Sequence, residues 1–436
     1  MHSAPLIAVV AFVLILSRTA AELWLSRLNQ RHVQTNAKKL PPAFRGTIDE
    51  AIYRRSTEYT LAKGRFGIIG DVFDAVVLIA VLFSGLLPWA FARFSAGFGT
   101  SIWAMAGFLF ALGVALRVLG MPFDWYAQFK LEERFGFNTI TMQTWVLDRM
   151  KGFLLALLLF FPLLALVLKL IEWAGANWWL WAAAVVIVFQ LLLLLAAPAL
   201  IMPLFNRFTP LPPGTLRDRL YALAERTNFP TSSIEVMDGS KRSRHSNAFF
   251  TGFGRFRKIV LFDTLIAQLT EPELESVLAH EIGHYKKRHV YKLLAFSVAS
   301  LVVAFATIAW LARQEWFYRA FGFEYVAGFT AANVTPAMLL FGLLAGTITF
   351  WASPFTHIWS RRFEYEADAF ARIIMGEAQS LIRALRKLSE KNLSNLTPHP
   401  FYSAFYYSHP TLLEREHALA VGKPFGRPID GATRTL

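Results

Sequence analysis

The hydrophobic positions of this chain follow two rhythms. Long apolar runs occupy 5–24, 67–91, 101–121, 152–172, 178–203, 289–312 and 333–356. Each is long enough for a helix to cross about 30 Å of hydrocarbon, so about seven transmembrane helices are predicted. Between the fifth and sixth runs the pattern changes. SSIEVMDGS, SNAFFTGFG and KIVLFDTLI are short apolar stretches divided by glycine and charged turns, which predicts strands. TEPELESVLAHEIGHYKKRH then has helical spacing, with Leu274, Val277, Leu278, Ile282 and Tyr285 in one stripe. Thr270 and Glu273 fit a capping box, and Pro272 suits the first turn. SRRFEYEADAFARIIM reads as another helix, with Phe363, Ala367, Phe370 and Ile374 on one face. The predicted fold is a mostly α membrane protein with a small α+β unit threaded onto the bundle.

The loops orient the bundle. Basic residues crowd the segment after the first run (Arg27, Arg31, Lys38, Lys39, Arg45, Arg54, Arg55, Lys63, Arg65), the loops 122–151 and 204–288, and the tail after 357. The alternate loops near 92–100, 173–177 and 313–332 are short and carry few. The positive-inside rule places the N-terminus outside and both large polar segments in the cytoplasm. MHSAPL lacks a positive n-region and a basic flank follows the first run, which predicts an uncleaved anchor rather than a signal peptide. The chain divides into spans 1–5 (1–203), a cytoplasmic segment carrying HEIGH (204–288), spans 6–7 (289–356) and a second cytoplasmic segment (357–436). No internal repeat or flexible linker adds a boundary.

Composition supports this picture. Of 436 residues, 55% are hydrophobic and only 17% charged, against about a quarter charged in soluble domains. The net charge of +14 fits basic loops beside anionic lipid and calls for no nucleic-acid partner. The absence of cysteine excludes disulfides, thiolate ligands and a cysteine nucleophile, so any metal is held by His, Asp or Glu. Within the runs lie Glu22, Asp71, Asp74, Arg117 and Lys169. Glu22 and Lys169, near span ends, are expected to snorkel or pair; Asp71, Asp74 and Arg117 are candidates to line a wet interior.

The chemistry concentrates in HEIGH. His280 and His284 stand four residues apart on a helix and share a face, so both imidazoles can reach one ion. Glu281 can reach a water at that ion without ligating and act as general base. A catalytic zinc takes three protein ligands, and Glu364, Glu366, Asp368, His357, His399 and His409 are candidates for the third. Glu364 and Asp368 share one helix face, so one can ligate while the other holds a ligand histidine from behind. The competing reading is a solvated acidic face paired with Arg361, Arg362 or Arg372. His289, five residues past His284, is expected off the metal face. If the helix runs unbroken into the sixth span, Lys286, Lys287 and Arg288 mark the interface, with the metal roughly 7 Å further out along the axis.

EERFGFNTIT, PLFNRFTPLPPGTL, SNAFFTGFG, VLAHEIGHYKKRH, SRRFEYEADAFA and FYYSHPTLLER together resemble the type I CAAX prenyl protease family, integral-membrane zinc metallopeptidases. The resemblance runs almost the whole length. It implies seven transmembrane helices enclosing a water-filled chamber, capped by a gluzincin-like domain. It implies one Zn2+ per chain on His280, His284 and Glu364, Glu281 as catalytic base, and Asp368 behind a ligand histidine. His409 matches a histidine near the zinc that stabilises the oxyanion; Asn247 and Arg415 match residues that contact the substrate backbone or the site. Without the resemblance, Asn247 reads as a turn residue and Arg415 as a partner of Glu414 or Glu416. SNAFF suggests an exposed strand edge that holds an extended peptide.

The expected activity is hydrolysis near the C-terminus of membrane-tethered or lipidated substrates, prenylated CaaX tails among them, with the last three residues released. The alternatives are a membrane-protein quality-control protease with no prenyl requirement, an intramembrane protease using Asp71 or Asp74, and a seven-span receptor or transporter with an incidental metal site. The tail GATRTL shows no retrieval signal, which favours a bacterial inner membrane over the endoplasmic reticulum.

Overall fold

A computed structural model of the chain describes residues 3–251 and 257–422. The end of SNAFFTGFG and the tail GATRTL therefore lie outside the described residues. The first half is helical: α1 (Ser3–Asn36), α2 (Glu50–Phe83), α3 (Leu86–Phe98), α4 (Ile102–Tyr126), α5 (Met142–Ala174) and α6 (Trp178–Ala196). The small α+β unit follows with β1 (Phe208–Pro210), α7 (Thr215–Arg226), β2 (Ser233–Met237), β3 (Ala248–Thr251), β4 (Lys258–Phe262), α8 (Asp263–Gln268) and α9 (Glu271–Lys286). Then come α10 (His289–Leu311), α11 (Glu315–Arg319), α12 (Ala331–Met375), α13 (Gln379–Lys391), α14 (Pro400–Tyr406) and α15 (Leu412–Val421).

Six helical stretches among the described residues are long and apolar enough to cross a membrane, and the longest, Met142–Leu204, is divided at Gly175–Asn177. The expected crossings thus correspond to α1, α2, α4, α5, α6, α10 and α12. Their outward positions stay apolar, with Leu158 70%, Leu200 68% and Phe355 74% exposed, as lipid-facing surfaces require. Inward, Ile15, Leu82, Met105, Leu168, Trp178 and Leu340 form the bundle core. One expected run is divided: α2 stops at Phe83, Gly85 takes φ 79°, and α3 starts afresh at Leu86.

The three predicted strands form, and β1 completes a sheet of order β1-β2-β4-β3. β2 and β4 run parallel; β3 is antiparallel to β4 and occupies an edge. α9 is as its pattern predicts, with the Glu273 carboxylate accepting from the Thr270 N–H at 2.8 Å. Leu274, Leu278 and Ile282 bury against Leu220, Ile259 and Ala371 in a second core.

The two helices that carry the candidate ligands, α9 and α12, continue differently from one another. α9 does not run on into the sixth span: Arg288 adopts the left-handed conformation (φ 56°, ψ 32°) and α10 restarts at His289. α12, by contrast, carries the last span straight into EYEAD over 45 residues. At 1.5 Å per residue that is roughly 67 Å, about twice the hydrocarbon thickness, so the part bearing Glu364 extends well beyond one span.

Candidate active site

Two small residues set the distance between the site's two main helices. A Cβ on Gly283 would stand 2.9 Å from the Ala367 Cα and 3.1 Å from its carbonyl oxygen. Only glycine lets α9 lie this close to α12. The contact brings His280, Glu281 and His284 against Glu364 and Asp368.

His280 Nε2 and His284 Nε2 are 3.1 Å apart. They lie 3.5 Å and 3.3 Å from the two carboxylate oxygens of Glu364. The three residues can present one atom each within 4.8 Å of one another. Glu364 is 5% exposed, and its Oε2 has no hydrogen-bond partner among the described residues. A buried, unsatisfied carboxylate oxygen facing two imidazole nitrogens fits a divalent cation. Of the other candidate ligands, His357 uses Nδ1 on the Phe405 carbonyl at 2.6 Å, and His399 caps α14 by accepting from the Phe401 N–H at 3.2 Å.

Each histidine of the set is held from behind. His280 Nδ1 lies 2.8 Å from Asp368 Oδ1, and Asp368 is gripped by Arg415 through two bonds of 2.9 Å and 2.6 Å. The resemblance gave Arg415 a contact with the substrate or the site. Its side chain is 11% exposed and committed to Asp368, with Nη1 3.6 Å from Glu364. It does not pair with Glu416, which Arg386 holds at 2.7 Å, and Glu414 caps α15.

His284 Nδ1 meets His289 Nδ1 at 3.0 Å, and His289 Nε2 meets Glu366 Oε2 at 3.1 Å. The five-residue spacing placed His289 off the metal face, and it lies outside the set of three candidate ligands; its place behind His284 was not foreseen. The left-handed Arg288 re-aims it, so His289 is 1% exposed and stacks on Phe363 at 4.1 Å. The available signal was the second acid of EYEAD, Glu366, which divides its carboxylate between His289 and the exposed Arg362 at 3.1 Å.

Glu281 makes no hydrogen bond to any described residue. Burial pushes its carboxyl above the usual carboxylate range, against the pull of His280 and His284. His409 Nε2 is 3.4 Å from Glu364 Oε1, and its side chain is 65% accessible. His409 lines a cavity; burial lowers its pKa against the pull of Glu364, with Arg415 acting in the same direction as burial. Ser408 Oγ sits 3.0 Å from His409 Nδ1. A hydroxyl donated there leaves Nε2–H as a neutral donor.

Asn247 immediately precedes β3, with an exposed side chain; its carbonyl accepts from the Phe262 N–H at 3.2 Å. The outer edge of β3 has no strand partner among the described residues. The cavity, about 980 Å³, runs from His409 and Arg415 past Tyr402 and Tyr406 to Glu22 and Asp71. Asp71 thus lines an interior space as expected, and Glu22 joins it while pairing with Arg18 at 2.9 Å. Asp74 is not part of that wall, and Arg117 pairs with Asp124.

The chain matches two family models: "CAAX prenyl protease N-terminal, five membrane helices" over residues 29–207 and "Peptidase family M48" over 210–421. CAAX prenyl protease 1 of Saccharomyces cerevisiae is 36% identical, covering 89% of this chain and 90% of its own. The human CAAX prenyl protease 1 homolog is 31% identical over 92% and 93%. The crystal structure of S. mikatae Ste24p superposes with a TM-score of 0.87 at 34% identity, covering 94% of this chain and 98% of that one.

Proposed function

The chain belongs to peptidase family M48, and from that premise we propose a zinc site on His280, His284 and Glu364 with Glu281 as catalytic base. It is a multi-pass membrane metalloprotease. The observation that carries the site is the convergence of two imidazoles on a buried carboxylate whose second oxygen has no hydrogen-bond partner among the described residues.

Zinc, when bound, polarises a scissile carbonyl and makes a neighbouring water more acidic. The chain's residues supply the rest. Glu281 takes a proton from the attacking water at its free carboxylate. As the C–N bond breaks, it returns that proton to the leaving nitrogen, so the carboxylate is regenerated. Burial strengthens it as a base. His409 donates Nε2–H to the carbonyl oxygen as charge develops there. Asp368 holds His280 and Arg415 fixes Asp368, while His289 and Glu366 hold His284, so neither imidazole must reorganise. The free edge of β3 pairs with an extended peptide through main-chain bonds, and Asn247 orients it near the cleavage point.

For substrate we propose the C-terminal tail of a membrane-tethered protein, a prenylated CaaX tail being the class that the relatives' names specify. The cavity joining the site to α1 and α2 gives such a tail room beside the bundle. The basic loops support an outside N-terminus and cytoplasmic catalytic segments, 204–288 and 357–436. The relatives cited are eukaryotic, so a bacterial inner-membrane location rests on no comparison. The test is cleavage of one peptide with and without a farnesyl group. Preference for the farnesylated form supports the CaaX reading; equal rates identify a protease indifferent to the lipid.

A further inference from the structure

A cleft of about 790 Å³ opens between the ends of α5 and α6 and the sheet, and no residue of the metal site lines it. Part of its lining is apolar, through Pro198, Leu204 and Phe205. The rest is basic, through Lys151, Arg207, Lys241 and Lys258. Four cations there face two carboxylates, Glu235 and Asp238. Glu235 is already paired with Lys258 at 2.7 Å. Asp238 Oδ1 accepts from the Arg207 backbone N–H at 2.7 Å. Lys151 Nζ rests on a neutral acceptor, the Leu204 carbonyl, at 2.8 Å. Lys151, Arg207 and Lys241 therefore have no carboxylate partner within 4.0 Å among the described residues.

The walls are braced. Arg242 grips Asp148 of α5 at 2.9 Å and 3.1 Å and reaches Asn206 at 3.0 Å, which ties α5 to the chain on both sides of the cleft. The location is equally specific. Lys151 directly precedes an apolar run, and Phe153 (45% exposed), Leu154 (58%), Leu200 (68%) and Leu204 (48%) continue from the cleft as an outward-facing apolar belt. The belt is lipid-facing surface, so the basic cleft opens where acyl chains already lie. A molecule with an anionic head and apolar chains matches both halves.

We propose that this cleft binds the headgroup of an anionic phospholipid, with its phosphate among Lys151, Arg207 and Lys241 and its acyl chains along α5 and α6. The test titrates the purified full-length chain in detergent with phosphatidylglycerol, phosphatidylcholine or inorganic phosphate, read by native mass spectrometry. Wild type should bind phosphatidylglycerol in preference to phosphatidylcholine. The double variant R207Q/K241Q should lose about thirtyfold in phosphatidylglycerol affinity, two cations at the strength typical near anionic lipid. R207K/K241R should retain binding, which separates charge from fold. Equal phosphatidylglycerol affinity in wild type and R207Q/K241Q would overturn the proposal. So would complete displacement of the lipid by millimolar inorganic phosphate, which would reveal a bare anion site.

Discussion

His284 points one ring nitrogen at His280 and Glu364 and the other at His289, with Nδ1 to Nδ1 3.0 Å. A histidine that ligates through Nε2 needs its Nδ1–H accepted, and His289 is placed to do this in the tautomer that donates Nε2–H to Glu366 at 3.1 Å. Loss of such a partner typically lowers metal affinity about 10- to 100-fold. We expect His289→Ala to fall in that range, and Glu366→Gln to show a smaller loss. Chelator competition measures it, independently of activity. Wild-type affinity in His289→Ala would reduce the contact to simple packing.

Gly283 tests whether helix proximity makes the site. An alanine methyl there meets the Ala367 backbone at 2.9 Å, and backbone cannot yield as a side chain can. Gly283→Ala should destabilise by about 1–3 kcal/mol and weaken metal binding, seen as a lower Tm and less bound metal. Gly113→Ala, where a Cβ meets nothing within 4 Å, should do neither.

Much of this was legible beforehand because each feature had a local cause. Apolar run length located the spans, the HEIGH spacing located the imidazoles, and Thr270 with Glu273 located the start of α9. What was missed depended on backbone turns without sequence punctuation. Arg288 is left-handed although it is neither Gly nor Asn, so nothing marked the break that buries His289. α12 continues through Pro354, where a proline would ordinarily suggest a helix end. Arg415 was assigned by resemblance to the substrate or the site; it lines the cavity beside His409, and packing added its bond to Asp368.

Proton and metal compete at His280. Burial alone would lower its pKa, but Asp368 and Glu364 outweigh this and raise it from 6.5 to about 9 in the metal-free protein. Nε2 must be neutral to ligate, so metal displaces a proton. Between pH 6.5 and about 9 affinity should climb with pH, by at most about tenfold per unit, and then level off. The same proton stabilises the metal-free fold fully below pH 6.5, and that contribution disappears as pH rises through about 9. Calorimetry in buffers of different ionisation enthalpy should detect proton release at pH 7; none would contradict the assignment.

Arg415 and Asp368 form a buried pair, 11% and 2% exposed. Removing the cation leaves a buried carboxylate with His280 alone to compensate it, so Arg415→Ala should cost about 3 kcal/mol, the low end for a broken buried pair. Arg415→Lys should recover only part, because an ammonium cannot reproduce the forked contact. Thermal unfolding in detergent measures both. A Tm unchanged in Arg415→Ala would show that Asp368 is stabilised some other way.

The most direct measurement pairs metal content with peptide cleavage in Glu281→Gln. The amide is isosteric and lies outside the ligand set, so the variant should bind metal like wild type and retain its Tm. Without a carboxylate to take the water proton, its cleavage rate should fall at least about 100-fold. A metal-loaded Glu281→Gln protein that cleaves at the wild-type rate would contradict the account.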